Sequence, residues 1–153
     1  MKNLLIVYHT QTGNTEKLAE AARAGATNEL VEGVDVRYLK VGSAGPEDLL
    51  WADGLLLGTP ENFGYMSGAM KDFFDRTFYP VEGRIISLPY AVFISAGNDG
   101  SGALRAIRRI ANGYPFKEVQ EPVIAQGTVT EANLAGAHDL GLALAAGLEA
   151  NVY

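Results

Sequence analysis

Apolar residues along this chain follow two rhythms. Leu4 to Tyr8, Gly54 to Gly58 and Tyr90 to Ile94 are short runs without polar alternation, the pattern of strands covered on both faces. Between them the spacing lengthens. Leu18, Ala21 and Ala22, then Met70, Phe73, Phe74 and Phe78, then Leu104, Ile107, Ile110 and Ala111 each draw one stripe down a helix. Strands that alternate with helices pair in parallel.

Two further runs have the character of sheet edges. Val34 to Leu39, "VDVRYL", begins with apolar and polar residues in alternation, and Val119 to Gly127, "VQEPVIAQG", contains Pro122, which cannot donate to a ladder. A brief helix is predicted around Pro46 to Ala52, with Pro46 in its first turn, and a last one over Glu131 to Glu149, with Leu134, Ala137, Gly141, Leu144 and Leu148 inward. The pattern predicts an α/β fold: an open, doubly wound sheet of five parallel strands in the order 2-1-3-4-5, with helices on both faces.

Composition narrows the picture in a few places. At 153 residues, with no repeat, low-complexity tract or linker, the chain is expected to form a single domain over 1–153. It contains no cysteine, which excludes disulfides, thiolate metal sites and cysteine nucleophiles. Two histidines and no carboxylate cluster at ligand spacing predict no metal site. A net charge of -6 argues against nucleic acid or an anionic membrane as partner. The basic cluster Arg105, Arg108 and Arg109 lies at helical spacing opposite apolar positions and reads as a solvated face. No secretory leader and no apolar run of about 18 residues is evident, so a cytoplasmic location is expected.

In an open α/β sheet ligands bind beyond the carboxyl ends of the strands, where strand order reverses. Three loops leave the central strands there: "HTQTGNT" from His9, "TPENFGYMSG" from Thr59 and "SAGNDGSG" from Ser95, all rich in glycine and small polar residues. The first runs from a buried strand into a helix that begins near Asn14, and helix amides favour an anion. Thr10, Thr12 and Thr15 add hydroxyls, Asn14 adds an amide, and Gly13 admits a close backbone. With no Gly-Lys-Ser/Thr sequence and no three-glycine spacing, a phosphate monoester fits better than a triphosphate or a dinucleotide.

"TQTGNT", Thr10 to Thr15, resembles the phosphate loop that holds flavin mononucleotide (FMN) in the flavodoxin superfamily. "GTPENFGYMSGAMKDFFDRT", Gly58 to Thr77, resembles the flavin-contacting segment of NAD(P)H:quinone oxidoreductases of the tryptophan-repressor-binding protein type. The resemblance covers essentially the whole chain and implies a flavodoxin-like, FMN-binding domain. Thr10, Gln11, Thr12, Gly13, Asn14 and Thr15 would hold the FMN phosphate. Thr59, Pro60, Glu61, Asn62, Phe63 and Gly64 would border the isoalloxazine. Ser95, Ala96, Gly97, Asn98, Asp99 and Gly100 would contact the pyrimidine edge and the opposite side of the ring.

It further implies an oxidoreductase that passes electrons from NADH or NADPH through FMN to a quinone or similar small acceptor. The cofactor then carries the chemistry, and no catalytic acid or base of the protein's own is expected. An electron carrier between redox protein partners is the alternative. The third loop lacks the aromatic residue with which such carriers usually enclose the flavin, which favours the enzyme. The chain is shorter than most of these quinone reductases and lacks the extra segments that build their tetramer, so homo-oligomerisation stays open.

Overall fold

A computed structural model describes residues 1–153. In chain order the elements are β1 (Lys2–Tyr8), α1 (Asn14–Ala26), β2 (Val34–Lys40), α2 (Pro46–Trp51), β3 (Gly54–Asn62), β4 (Tyr65–Met66), α3 (Gly68–Val81), β5 (Leu88–Ala96), α4 (Ser101–Ala111), β6 (Phe116–Glu118), β7 (Val123–Gln126) and α5 (Glu131–Glu149). A 3-10 turn at Val41–Ser43 follows β2.

The main path of the sheet is β2-β1-β3-β5-β6, with β7 also paired to β5. Every pairing on it is parallel. The expected order is met with β7 as the fifth strand, shorter than the expected Val119–Gly127; β6 precedes that run and pairs with the start of β5 at the same edge. Pro122 lies in the gap between β6 and β7, where the missing amide donor breaks the ladder rather than starting it. β4 was not expected. It pairs antiparallel with the end of β3 through Glu61–Met66 and Asn62–Tyr65, so the second loop is a hairpin.

Alternate residues of the central strands feed two cores. Leu5, Val7, Leu55, Leu57, Val92 and Ile94 pack with α2, α3 and α4 through Leu49, Met70, Phe73, Phe74 and Ile107. Leu4, Ile6, Tyr8, Leu56, Ala91 and Phe93 pack with α1 and α5 through Leu18, Ala22, Leu140 and Leu144. The Met70–Phe73–Phe74 stripe is therefore core, and each such side chain contributes roughly 1.5–3 kcal/mol by leaving water.

α1 and α5 meet at backbone distance. A Cβ on Gly141 would overlap the Ala22 carbonyl, lying 2.8 Å from its carbon, and one on Gly25 would lie 2.8 Å from the His138 carbonyl carbon. The two glycines let the helices interlock and fix α1 over β1, with its N-terminus at the carboxyl edge of the sheet. No helix is long and apolar enough to cross a membrane.

Candidate functional site

The carboxyl ends of β1, β3, β5 and β7 surround a cleft of about 560 Å³. Nine residues expected from the sequence line it: Gln11, Thr12 and Asn14 from the first loop, Pro60, Glu61 and Asn62 from the second, and Ser95, Ala96 and Gly97 from the third. Gly127 and Thr128 complete the wall and were missed. Their signal was topological, since they follow the last strand at the same edge. Gly127 takes a positive φ of 74° and its amide donates to the Ala96 carbonyl at 2.7 Å.

The other expected residues support the cleft rather than line it. Thr10 Oγ1 accepts from the Gly13 amide at 3.1 Å and the Glu16 amide at 3.4 Å, which folds the first loop back on itself. Gly13 stands in the left-handed region at φ 98°, where a side chain would be strained. Thr15 is buried, and its hydroxyl meets that of Ser95 at 2.7 Å. Thr59 is buried too, donating to the Pro60 carbonyl and accepting from the Ser67 amide, which closes the hairpin. Asn98 and Asp99 are exposed, while Gly100 is buried with φ 73°. Hydrogen bonds from the Ser101 amide and hydroxyl hold the Asp99 carboxyl below its ordinary range.

Phe63 and Gly64 form the hairpin tip with φ of 53° and 71°, and the Phe63 ring stands wholly in solvent beside the cleft. Tyr65 is 41% exposed. His9 faces away, into a separate hollow with Lys40, Ser43 and Ala69. Burial holds its pKa below 6.5, so it is neutral at pH 7, and its Nδ1 has no partner. Arg108 is paired with Glu118 through two hydrogen bonds rather than simply solvated, while Arg105 and Arg109 are exposed.

Side chains tie each loop to the others. Thr15 joins the first to the third, Asn62 Nδ2 donates to Gln11 Oε1 at 2.9 Å between the second and first, and Glu61 Oε2 accepts from the Gly102 and Ala103 amides at 3.0 and 3.2 Å between the second and third.

The electrostatics differ between the two helices that start here. At α4 the orphan amides are taken, Ser101 by Asp99 and the next two by Glu61. At α1 the N-cap is Gly13, which has no side chain to offer, and the amides of Asn14 and Thr15 find no acceptor within the chain. The open amides, with the Thr12 hydroxyl and Asn14 amide in the cleft before them, present donors and no cation. Such a set suits a singly esterified phosphate.

Comparison with known proteins agrees with this geometry. Residues 46–130 match the family described as NADPH-dependent FMN reductase. A flavodoxin of Aquifex aeolicus is 43% identical over 102 residues, 67% of this chain and 54% of that protein. An NAD(P)H dehydrogenase (quinone) of Acidithiobacillus ferrooxidans is 35% identical over 121 residues, 67% of this chain and 60% of that protein. The chain thus spans somewhat more than half the length of these relatives. Among solved structures, a flavodoxin from the domain Archaea superposes with a TM-score of 0.80 at 22% identity, covering 95% of this chain and 98% of that one. A flavodoxin, WrbA-like protein of Agrobacterium tumefaciens gives 0.77 at 20% identity over 95% and 96%. Both establish the fold as flavodoxin-like.

Proposed function

We propose, since this chain belongs to the NADPH-dependent FMN reductase family, that it is a single FMN-binding domain which oxidises NADPH or NADH and reduces a quinone or similar small acceptor in the cytoplasm. The observation that carries the reading is the open N-terminus of α1. Its unengaged amides start at Asn14, which lines a cleft that offers hydroxyl and amide donors and no cation.

In this reading Asn14, Thr15 and Thr12 hold the phosphate, by backbone amides in the first two cases and a hydroxyl in the third. Pro60 to Asn62 and Ser95 to Gly97 form the two walls beside the isoalloxazine. Bound FMN supplies the electron chemistry between the nicotinamide and the acceptor. The chain's part is to orient and to leave access. No histidine, lysine or arginine lines the cleft, so the protein contributes no proton donor of its own near neutral pH. The Gly97–Gly100 segment carries no aromatic ring, which leaves one wall open to a flat acceptor.

The test is binding followed by reduction. Fluorescence titration should show FMN bound far more tightly than riboflavin, because riboflavin lacks the phosphate; equal affinities would overturn the assignment of α1. Adding NADPH or NADH to the loaded protein without oxygen should bleach the flavin. Absence of bleaching would make the protein an electron carrier between protein partners.

A further inference from the structure

Glu61 is the single carboxylate in the cleft wall, and both amides it accepts from belong to the first turn of α4. Helices are ordinarily capped from the preceding residues, and Asp99 already does so here by accepting from the Ser101 amide. The second carboxylate comes from a different strand. It fastens the β3–β4 hairpin to α4, and the contact is close: a Cβ on Gly102 would overlap the Gly64 carbonyl, lying 2.7 Å from its carbon. With the hairpin seated this tightly, the wall from Pro60 to Asn62 is fixed relative to the wall from Ser95 to Gly97.

The charge matters as well as the fastening. We infer that Glu61 lowers the reduction potential of the bound flavin, both through α4 and by its own charge; this rests on the FMN reading above. Two electrons and one proton convert the neutral oxidised ring to its anionic reduced form, a net gain of one negative charge. The positive end of α4 would favour that charge. Here it is engaged by Glu61, and the carboxylate itself stands in the same cleft wall and repels added charge. Both effects hold oxidised FMN in preference to reduced FMN.

Two variants separate charge from geometry. Glu61→Gln keeps an oxygen that can accept from Gly102 and Ala103 but removes the charge; Glu61→Ala removes both. Each is loaded with FMN, its dissociation constant is measured by fluorescence quenching, and its midpoint potential by equilibration with a reference dye. In Glu61→Gln the preference for the reduced over the oxidised cofactor should rise about tenfold, equivalent to a positive shift of ~30 mV for a two-electron couple. Glu61→Ala should also lose affinity for oxidised FMN, and Glu61→Gln should restore it. An unmoved potential in Glu61→Gln overturns the inference, as does full FMN affinity in Glu61→Ala. FMN that fails to bind the unaltered chain removes the functional reading as well, whereas normal binding with an unmoved potential removes this inference alone.

Discussion

Two glycines of α5 should answer the same substitution with opposite signs. Gly141 lies against the backbone of α1: its Cβ would sit 2.8 Å from the Ala22 carbonyl carbon. Carbon atoms pack at about 3.5–4.0 Å, so the helices must part by roughly 1 Å. The obstacle is helical backbone and cannot rotate aside. Overpacking of this kind costs about 1–3 kcal/mol, here near the upper end, and alanine's better helix propensity returns about 1 kcal/mol. The net expectation for Gly141→Ala is a loss of about 2 kcal/mol.

Gly136, one and a half turns earlier, has only Val123 side-chain atoms at 3.8 and 3.9 Å from an added Cβ, which is ordinary contact. Gly136→Ala should therefore gain about 1 kcal/mol from propensity alone. For a chain of this size 1 kcal/mol moves the melting temperature by about 2–4 °C, so the variants should melt roughly 6–12 °C apart. Urea and thermal unfolding of the cofactor-free protein, followed by far-UV circular dichroism, measure the difference. If Gly141→Ala matched Gly136→Ala in stability, the interlocking of α1 and α5 would be wrong.

Thr12→Ala, which deletes a cleft hydroxyl with no partner inside the chain, should weaken FMN binding by about 1.5–3 kcal/mol, the scale of a hydrogen bond to a charged group, and titration with FMN checks it. Alkaline stability should depend on Tyr90 and Tyr114, whose phenols burial pushes from 10.0 up to about 12, together with Tyr38, whose phenol burial also pushes up. Folding then retains protons that the unfolded chain has released, so the stabilisation is full below pH 10.0 and is lost as pH rises towards about 12. Unfolding titrated over that window should show the fall, and Tyr114→Phe should flatten part of it while lowering neutral-pH stability through the lost Thr77 and Phe74 hydrogen bonds.

Strand order was legible because each central strand is apolar on both faces, and a chain can bury such a strand only in the middle of a sheet. The edge position of the final strand was legible from Pro122, but its shortening to β7 was not, since one proline marks a missing donor without saying how far the ladder fails. The β4 hairpin escaped notice because Tyr65 and Met66 are only two residues, too few for a period, and its pairing depends on the positive φ of Phe63, which sequence does not favour. Loop composition located the cleft. It did not reveal which hydroxyls turn inward: Thr12 and Thr15 look alike in the sequence, yet Thr12, in the loop before α1, lines the cleft, while Thr15, in the first turn of the helix, is buried against Ser95. Glu61 drew attention only as part of a motif, and its bond to α4 needed the fold.

The three ties among the loops differ in their exposure to water. Thr15–Ser95 is buried and Glu61–α4 partly so, while Asn62–Gln11 lies open to solvent. Water competes freely only for the last. The cleft is thus a ring with one soft clasp: its walls are ordered before anything arrives, so association need not stiffen them.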